Sequence, residues 1–231
     1  MSQPEFDSFA TNYDDALQQG LAVTGESKDY FAHGRLRFLA DMLRKLKIDP
    51  PQNVLDFGCG TGSATPFLIE CLGAKRILGV DVSEKSLEVA RKHFGSGEVS
   101  FQTIDNFKPE GGFDLAFVNG VFHHIPLDQR AGSVDFVRRC LKPGGIFAFW
   151  ENNPWNPGTQ WVMSRCPFDG DAIKISPPGA KKLLCGGGFN ILRTDFLFIF
   201  PKSLSLLRPL ETMVSRVPIG GQYEVLCRAP G

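Results

Sequence analysis

The sequence predicts an α/β domain built on a mostly parallel sheet with helices on both faces. Three observations carry this expectation. Short apolar runs suited to buried strands alternate with helix-length amphipathic segments. One run, residues 54–57, enters a turn with glycine at 58, 60 and 62 and then a helix, the start of a nucleotide-type site. A second run ends in Asp81, about 20 residues beyond that turn, the distance at which an acid reaches ribose hydroxyls in a βαβ unit.

Composition bounds the alternatives. A length of 231 residues suits one α/β domain with additions. Lysine plus arginine equals aspartate plus glutamate, 25 of each. That balance disfavours a protein that grips long nucleic acid through its phosphates. The six cysteines, at 59, 71, 140, 166, 185 and 227, form no C-x-x-C pair and have no histidine at ligand spacing, so no metal is expected. They suit a reducing, cytoplasmic compartment. The first residues lack a basic and then apolar leader. No run approaches the roughly 20 apolar residues of a membrane span.

In chain order, Phe6, Phe9, Tyr13 and Leu17 recur at helical spacing before Gly20. A second helix starts at the cap candidate Ser27 and runs to Asp49-Pro50-Pro51. Residues 1–50 thus form a helical cover, and 51–231 the α/β domain. Arg35 and Arg37 on this cover could meet an anionic substrate, with solvated surface as the simpler reading. The first strand and glycine turn are followed by a helix over 63–72, closed by Gly73. A strand over 76–82, a helix over 83–94 capped by Ser83, and a strand over 99–104 complete the first half. Residues 113–118 form a fourth apolar strand that breaks at Asn119-Gly120. A helix over 128–140, a tight turn over 141–145 and a strand over 146–150 follow. Short helices are expected near 160–163 and after Ser176, and strands over 191–200 and 222–228. The leucine-rich stretch 202–217 between them is an insertion. It could wall an apolar substrate, form a dimer face or touch a membrane surface, with plain packing as the simplest role.

The glycine register separates cofactors. A dinucleotide site reads G-x-G-x-x-G. Here the order is Asp56-x-Gly58-x-Gly60-x-Gly62, with Ser63 where the third dinucleotide glycine belongs. That register argues against a nicotinamide-dependent oxidoreductase. It resembles motif I of the class I S-adenosylmethionine-dependent methyltransferases of small-molecule type. Phe113-Asp114-Leu115 before the fourth strand resembles their motif IV. Leu141-Lys142-Pro143-Gly144-Gly145 before the fifth matches a third family feature. Asn152-Asn153-Pro154-Trp155 is unlike the Asn-Pro-Pro-Tyr box of DNA methyltransferases in position and in sequence.

The resemblance implies a Rossmann-like seven-stranded sheet of order 3-2-1-4-5-7-6 with the last strand antiparallel. It implies methyl transfer from S-adenosylmethionine, leaving S-adenosylhomocysteine, to a small-molecule acceptor, apolar or lipid-like if the phenylalanine-rich C-terminal half lines its site. A module that holds the cofactor without turnover would keep the same binding residues. The cofactor would be held by Asp56, by the backbone of Gly58, Cys59, Gly60 and Gly62, by Asp81 on the ribose and by Val82 against the adenine. Asp105 and Asn106 would meet the adenine amino group, and the Asn119 backbone carbonyl the methionine amino group. His123 and His124 follow the strand that faces the methyl. Either could take a proton from the acceptor, or pack on and orient the cofactor. Tyr13 and Glu151 are the other acid–base candidates, and Asn152 and Trp155 are candidate substrate contacts.

Overall fold

The computed structural model describes residues 24–166, 170 and 172–231. The expected first helix, with Tyr13, lies outside them. Seven strands form one sheet of order β3-β2-β1-β4-β5-β7-β6. β1 (Asn53–Phe57), β2 (Arg76–Asp81), β3 (Val99–Thr103), β4 (Phe113–Asn119) and β5 (Leu141–Asn152) run parallel. β7 (Gln222–Arg228) pairs antiparallel with both β5 and β6 (Asn190–Leu197). The order follows from chain direction. Each right-handed crossover places the next strand outward, and the return to β4 beside β1 leaves a crevice at their carboxyl ends.

Both faces of the sheet are buried, which is why the strands read as continuous apolar runs. One face carries Val54, Leu115, Ala148, Trp150 and Leu226 under the helix α1 (Lys28–Lys45). That helix is capped as expected: Ser27 accepts from the Tyr30 backbone N–H. α2 (Thr65–Leu72) and α3 (Glu84–Phe94) cover the nucleotide half. α2 ends at Gly73, left-handed at φ 70. The other face carries Leu55, Val118, Phe147 and Val225 under α4 (Arg130–Cys140) and α6 (Pro177–Gly186). Between them, α5 (Pro157–Met163) takes its cap from Asn156 rather than starting at Gln160.

Four expectations are corrected. The 141–145 turn is an excursion within β5, because Phe113 pairs with Leu141 and Leu115 with Ile146. Gly144, at φ 74, makes that bulge. β6 stops at Leu197 because Phe198 takes φ 61, outside the extended region. Arg35 is buried, since α1 turns it towards β7, while Arg37 is exposed. The 202–217 stretch is a 3-10 segment (Lys202–Leu210) and the short helix α7 (Glu211–Val214). Its leucines are not packed inside: Leu206 is 93% and Met213 79% exposed. Pro209 and the kink at Leu204 keep the segment from forming one amphipathic helix. Among the described residues no helix is long and apolar enough to cross a membrane.

Candidate functional site

The site begins where β1 ends. The Gly58 and Cys59 N–H groups both donate to Val80 O, at 2.8 and 3.1 Å, which ties the turn to β2. Gly58, Gly60 and Gly62 all have positive φ, at 72, 52 and 79. They differ in what surrounds them. A Cβ on Gly58 would overlap Val121, and one on Gly62 would crowd Phe94 and Ala90 of α3. Nothing lies within 4 Å of a Cβ at Gly60. Gly60 is therefore the position whose open face a ligand can approach, and the other two serve the packing of the loop. The Cys59 side chain is buried in the core, so only its backbone faces the crevice. Burial, with Asp56 and Asp81 nearby, pushes its thiol far above the ordinary range.

Asp81 at the end of β2 holds this loop. It accepts from the Gly60 N–H at 2.8 Å and from the Ser83 N–H at 2.9 Å. Ser83 is the cap of α3, accepting from Ser86 N–H, so capping does not fall on Asp81. Val82, next in the chain, is 55% exposed. Asp105 and Asn106 sit in a 3-10 turn, exposed, just beyond the Asp81–Thr103 pair of β2 and β3. The proposed ribose and adenine contacts thus share one sheet edge.

Two buried oxygens here lack partners. Asp56 Oδ2 and Asn119 Oδ1 make no hydrogen bond. Burial, with the Asp81 charge adding to it, raises the Asp56 carboxyl to about 7. Unpartnered acceptors beside an open glycine suit a ligand that brings hydrogen-bond donors and positive charge. A methionine-type ammonium and sulfonium with ribose hydroxyls has both, so the residues fit S-adenosylmethionine.

Beside this crevice lies a cavity of about 500 Å³. Asn119, Gly120 and Ser63 line its inner end, and His123 and His124 stand next to them. Tyr30, Phe31, Phe198 and Trp161 supply apolar wall. The Phe31 and Phe198 rings meet edge-to-face with centroids 4.9 Å apart. Gln222 and Arg35 form part of its polar side, with Asn152.

Glu151 does not open onto the substrate as expected. It is 1% exposed, and its Oε2 meets His123 Nδ1 at 2.6 Å. Its oxygens also accept from the backbone N–H groups of Phe122 at 2.8 Å and of His123 and Asn152 at 3.3 Å. Glu151 is therefore held against His123 and does not itself line the cavity. The His124 ring lies against that of His123, tilted by 49° with centroids 4.1 Å apart. Trp155 is 52% exposed and does not line the cavity, whereas Trp161 does. The intervening Asn153 turns inward and donates from Nδ2 to Gly220 O at 2.8 Å, so the 153–156 turn points Trp155 away. Sequence reasoning missed Gln222, Tyr30, Phe198 and Trp161. Each comes from a different element, and no local pattern links them. Among the described residues no cluster could hold a metal ion.

Comparison with known proteins agrees with this geometry. Residues 54–145 match the family model described as a methyltransferase domain. The chain is 30% identical over 137 residues to a trans-aconitate 2-methyltransferase of Azoarcus sp. (strain BH72), covering 59% of this chain and 53% of that protein. It is 35% identical over 120 residues to the enzyme of that name from Methylobacterium nodulans, covering 51% and 45%. The chain thus spans about half the length of the curated relatives it matches. Among solved structures, a putative methyltransferase of Haloferax volcanii, in complex with the Trm112 activator, aligns over 100% of both chains with a TM-score of 0.68 and 20% identity. An S-adenosylmethionine-dependent methyltransferase of Mesorhizobium loti aligns over 81% of this chain and 96% of its own, with a TM-score of 0.59 and 20% identity. The motif order and the sheet order agree with these matches: residues 54–145 of this chain are similar to a methyltransferase domain, set in a seven-stranded sheet of order β3-β2-β1-β4-β5-β7-β6.

Proposed function

We propose that this protein transfers a methyl group from S-adenosylmethionine to a small molecule held in the cavity beside the glycine loop. The observation that carries the proposal is the buried His123–Glu151 pair at the point where cavity and cofactor crevice meet. When bound, the cofactor supplies a sulfonium methyl as electrophile. The chain must align the acceptor with it and remove a proton. Alignment can lower the barrier by roughly 7–11 kcal/mol, and a base adds about 10²–10⁴-fold.

Glu151 accepts three backbone N–H groups, an arrangement that suits a carboxylate and not a carboxylic acid. It therefore takes the Nδ1 proton of His123 as a hydrogen bond and fixes that tautomer. His123 Nε2 is then the basic atom, and it takes the proton given up by the acceptor's nucleophilic group. Gly60, Asp56, Asp81 and Asn119 hold the donor, Val82, Asp105 and Asn106 border its adenine end, and the aromatic walls exclude water from the acceptor. The relatives named for methylation of a small organic acid support a small-molecule acceptor.

The test is incubation with methyl-labelled donor and a small-molecule extract. Label in that fraction, lost in His123→Ala with S-adenosylhomocysteine affinity kept, supports the proposal. Binding of S-adenosylhomocysteine with no label transferred to any extract would instead mark a non-catalytic binding module.

A further inference from the structure

Three polar side chains on the cavity form a hydrogen-bonded chain with a forced direction. Arg35 on α1 is 9% exposed, and its Nη1 donates to Gln222 Oε1 at 2.8 Å. A guanidinium has no acceptor, so the Gln222 amide can face it only with its oxygen. Gln222 Nε2 then donates to Asn152 Oδ1 at 3.1 Å. With that oxygen engaged, Asn152 presents its Nδ2 donors to the cavity it lines. A permanent cation thus sets the polarity of an amide two links away and strengthens it as a donor.

The remaining lining is mixed. The rings of Tyr30, Phe31, Phe198 and Trp161 form its apolar wall, and Lys28 and Asp29 bring one charge of each sign. The Arg208 guanidinium on the far side is matched by Glu26 at 2.8 Å and lies 4.6 Å from the Tyr30 ring centroid, so its charge is already balanced. Asn152 lines the same cavity as His123, so the donor amide and the base face one space.

We infer that the acceptor has an apolar, ring-sized body and a single carboxylate, and that Asn152 Nδ2 binds that carboxylate at the end of the Arg35–Gln222 chain. The inference rests on the methyl-transfer reading of the same cavity and narrows it. A polycarboxylate such as trans-aconitate would bring further charges to aromatic walls.

The experiment is calorimetric titration of the full chain, saturated with S-adenosylhomocysteine, with phenylacetate, phenethylamine and trans-aconitate. Phenylacetate is expected to bind at least about tenfold more tightly than either of the others, the scale of a hydrogen bond to a charged group. Gln222→Glu offers Arg35 and Asn152 acceptors only. It turns the Asn152 amide around, so that its oxygen faces the cavity, and the preference should swing to phenethylamine. Asn152→Asp should abolish the phenylacetate preference with S-adenosylhomocysteine affinity unchanged. Equal or tighter binding of phenethylamine or trans-aconitate to the unaltered chain would overturn the inference. So would absence of phenylacetate binding at millimolar concentration, or a preference untouched by Gln222→Glu in a variant that still binds S-adenosylhomocysteine. Failure of S-adenosylhomocysteine itself to bind would instead refute the methyl-transfer reading.

Discussion

Replacing Asp56 with asparagine should make the protein more stable at neutral pH and alter how its stability changes with pH. The Asp56 side chain is fully buried, its Oδ2 has no partner, and Asp81 adds repulsion. The carboxyl therefore stays protonated up to about 7, against an ordinary 3.8. Between these values the unfolded chain has released the proton and the folded chain has kept it. The unfolded state then binds fewer protons, so stability falls as pH rises through this window and is fully present only below it. At about 1.4 kcal/mol per pH unit, the loss by pH 8 comes to about 4 kcal/mol. An asparagine side chain does not titrate, so the variant escapes this loss. Urea denaturation of both proteins without ligand, from pH 4 to pH 8, gives the difference in unfolding free energy directly. It should widen with pH in favour of Asp56→Asn by about 4 kcal/mol. A difference that stays level across the range would refute the argument and return Asp56 to an ordinary, solvated or paired carboxylate.

The same carboxyl predicts that S-adenosylmethionine, a cation, binds more tightly as pH rises through about 7, because Asp56 ionises there; a calorimetric affinity profile in that range checks it. Gly60→Leu should weaken S-adenosylhomocysteine binding at least tenfold, since its side chain would occupy the open face and strain a backbone at φ 52 by about 1–2 kcal/mol. Glu151→Gln should lower turnover by tenfold or more at unchanged S-adenosylhomocysteine affinity, because it no longer fixes the His123 tautomer; steady-state kinetics with calorimetry separates the two. Glu224 is buried in β7, between β5 and the edge strand β6, with oxygens that make no well-formed hydrogen bond, and burial beside Asp195 holds its carboxyl far above the ordinary range. Glu224→Gln should therefore raise the melting temperature above neutral pH and do little under acid conditions, where the native carboxyl is protonated in both states.

Local signals made the cofactor side legible. The order of strand, glycine turn and acid places the crevice within one βαβ unit, so the turn at 58–62 and Asp81 stood out by spacing. The sheet order was implied by the family resemblance that the three motifs carry, and the structure has that order. The acceptor side was harder to read because it is assembled from distant segments. Arg35 looked like a surface cation on an amphipathic helix, and only the approach of β7 shows it bonded to Gln222. Glu151 stood in a polar run after a strand and suggested an acid–base group open to the substrate. Its burial follows from the turn at 120–124, which brings Phe122 and His123 N–H groups onto it. Trp155 was the candidate contact because it follows the strand end directly, but the inward side chain of Asn153 turns it away and Trp161 lines the cavity instead. The leucines at 204–210 imitate a core helix, and their exposure depends on a kink that periodicity does not encode.

The central claim is that the loop at 58–62 and the carboxylate at 81 bind S-adenosylmethionine. Calorimetric titration with S-adenosylhomocysteine tests it most directly, using the unaltered chain, Gly60→Leu and Asp81→Ala, with NAD as the competing ligand. The account predicts one-to-one binding of S-adenosylhomocysteine, no binding of NAD, and loss of affinity in both variants while each still unfolds cooperatively. Unchanged affinity in folded Gly60→Leu and Asp81→Ala, or binding of NAD in place of S-adenosylhomocysteine, would contradict it.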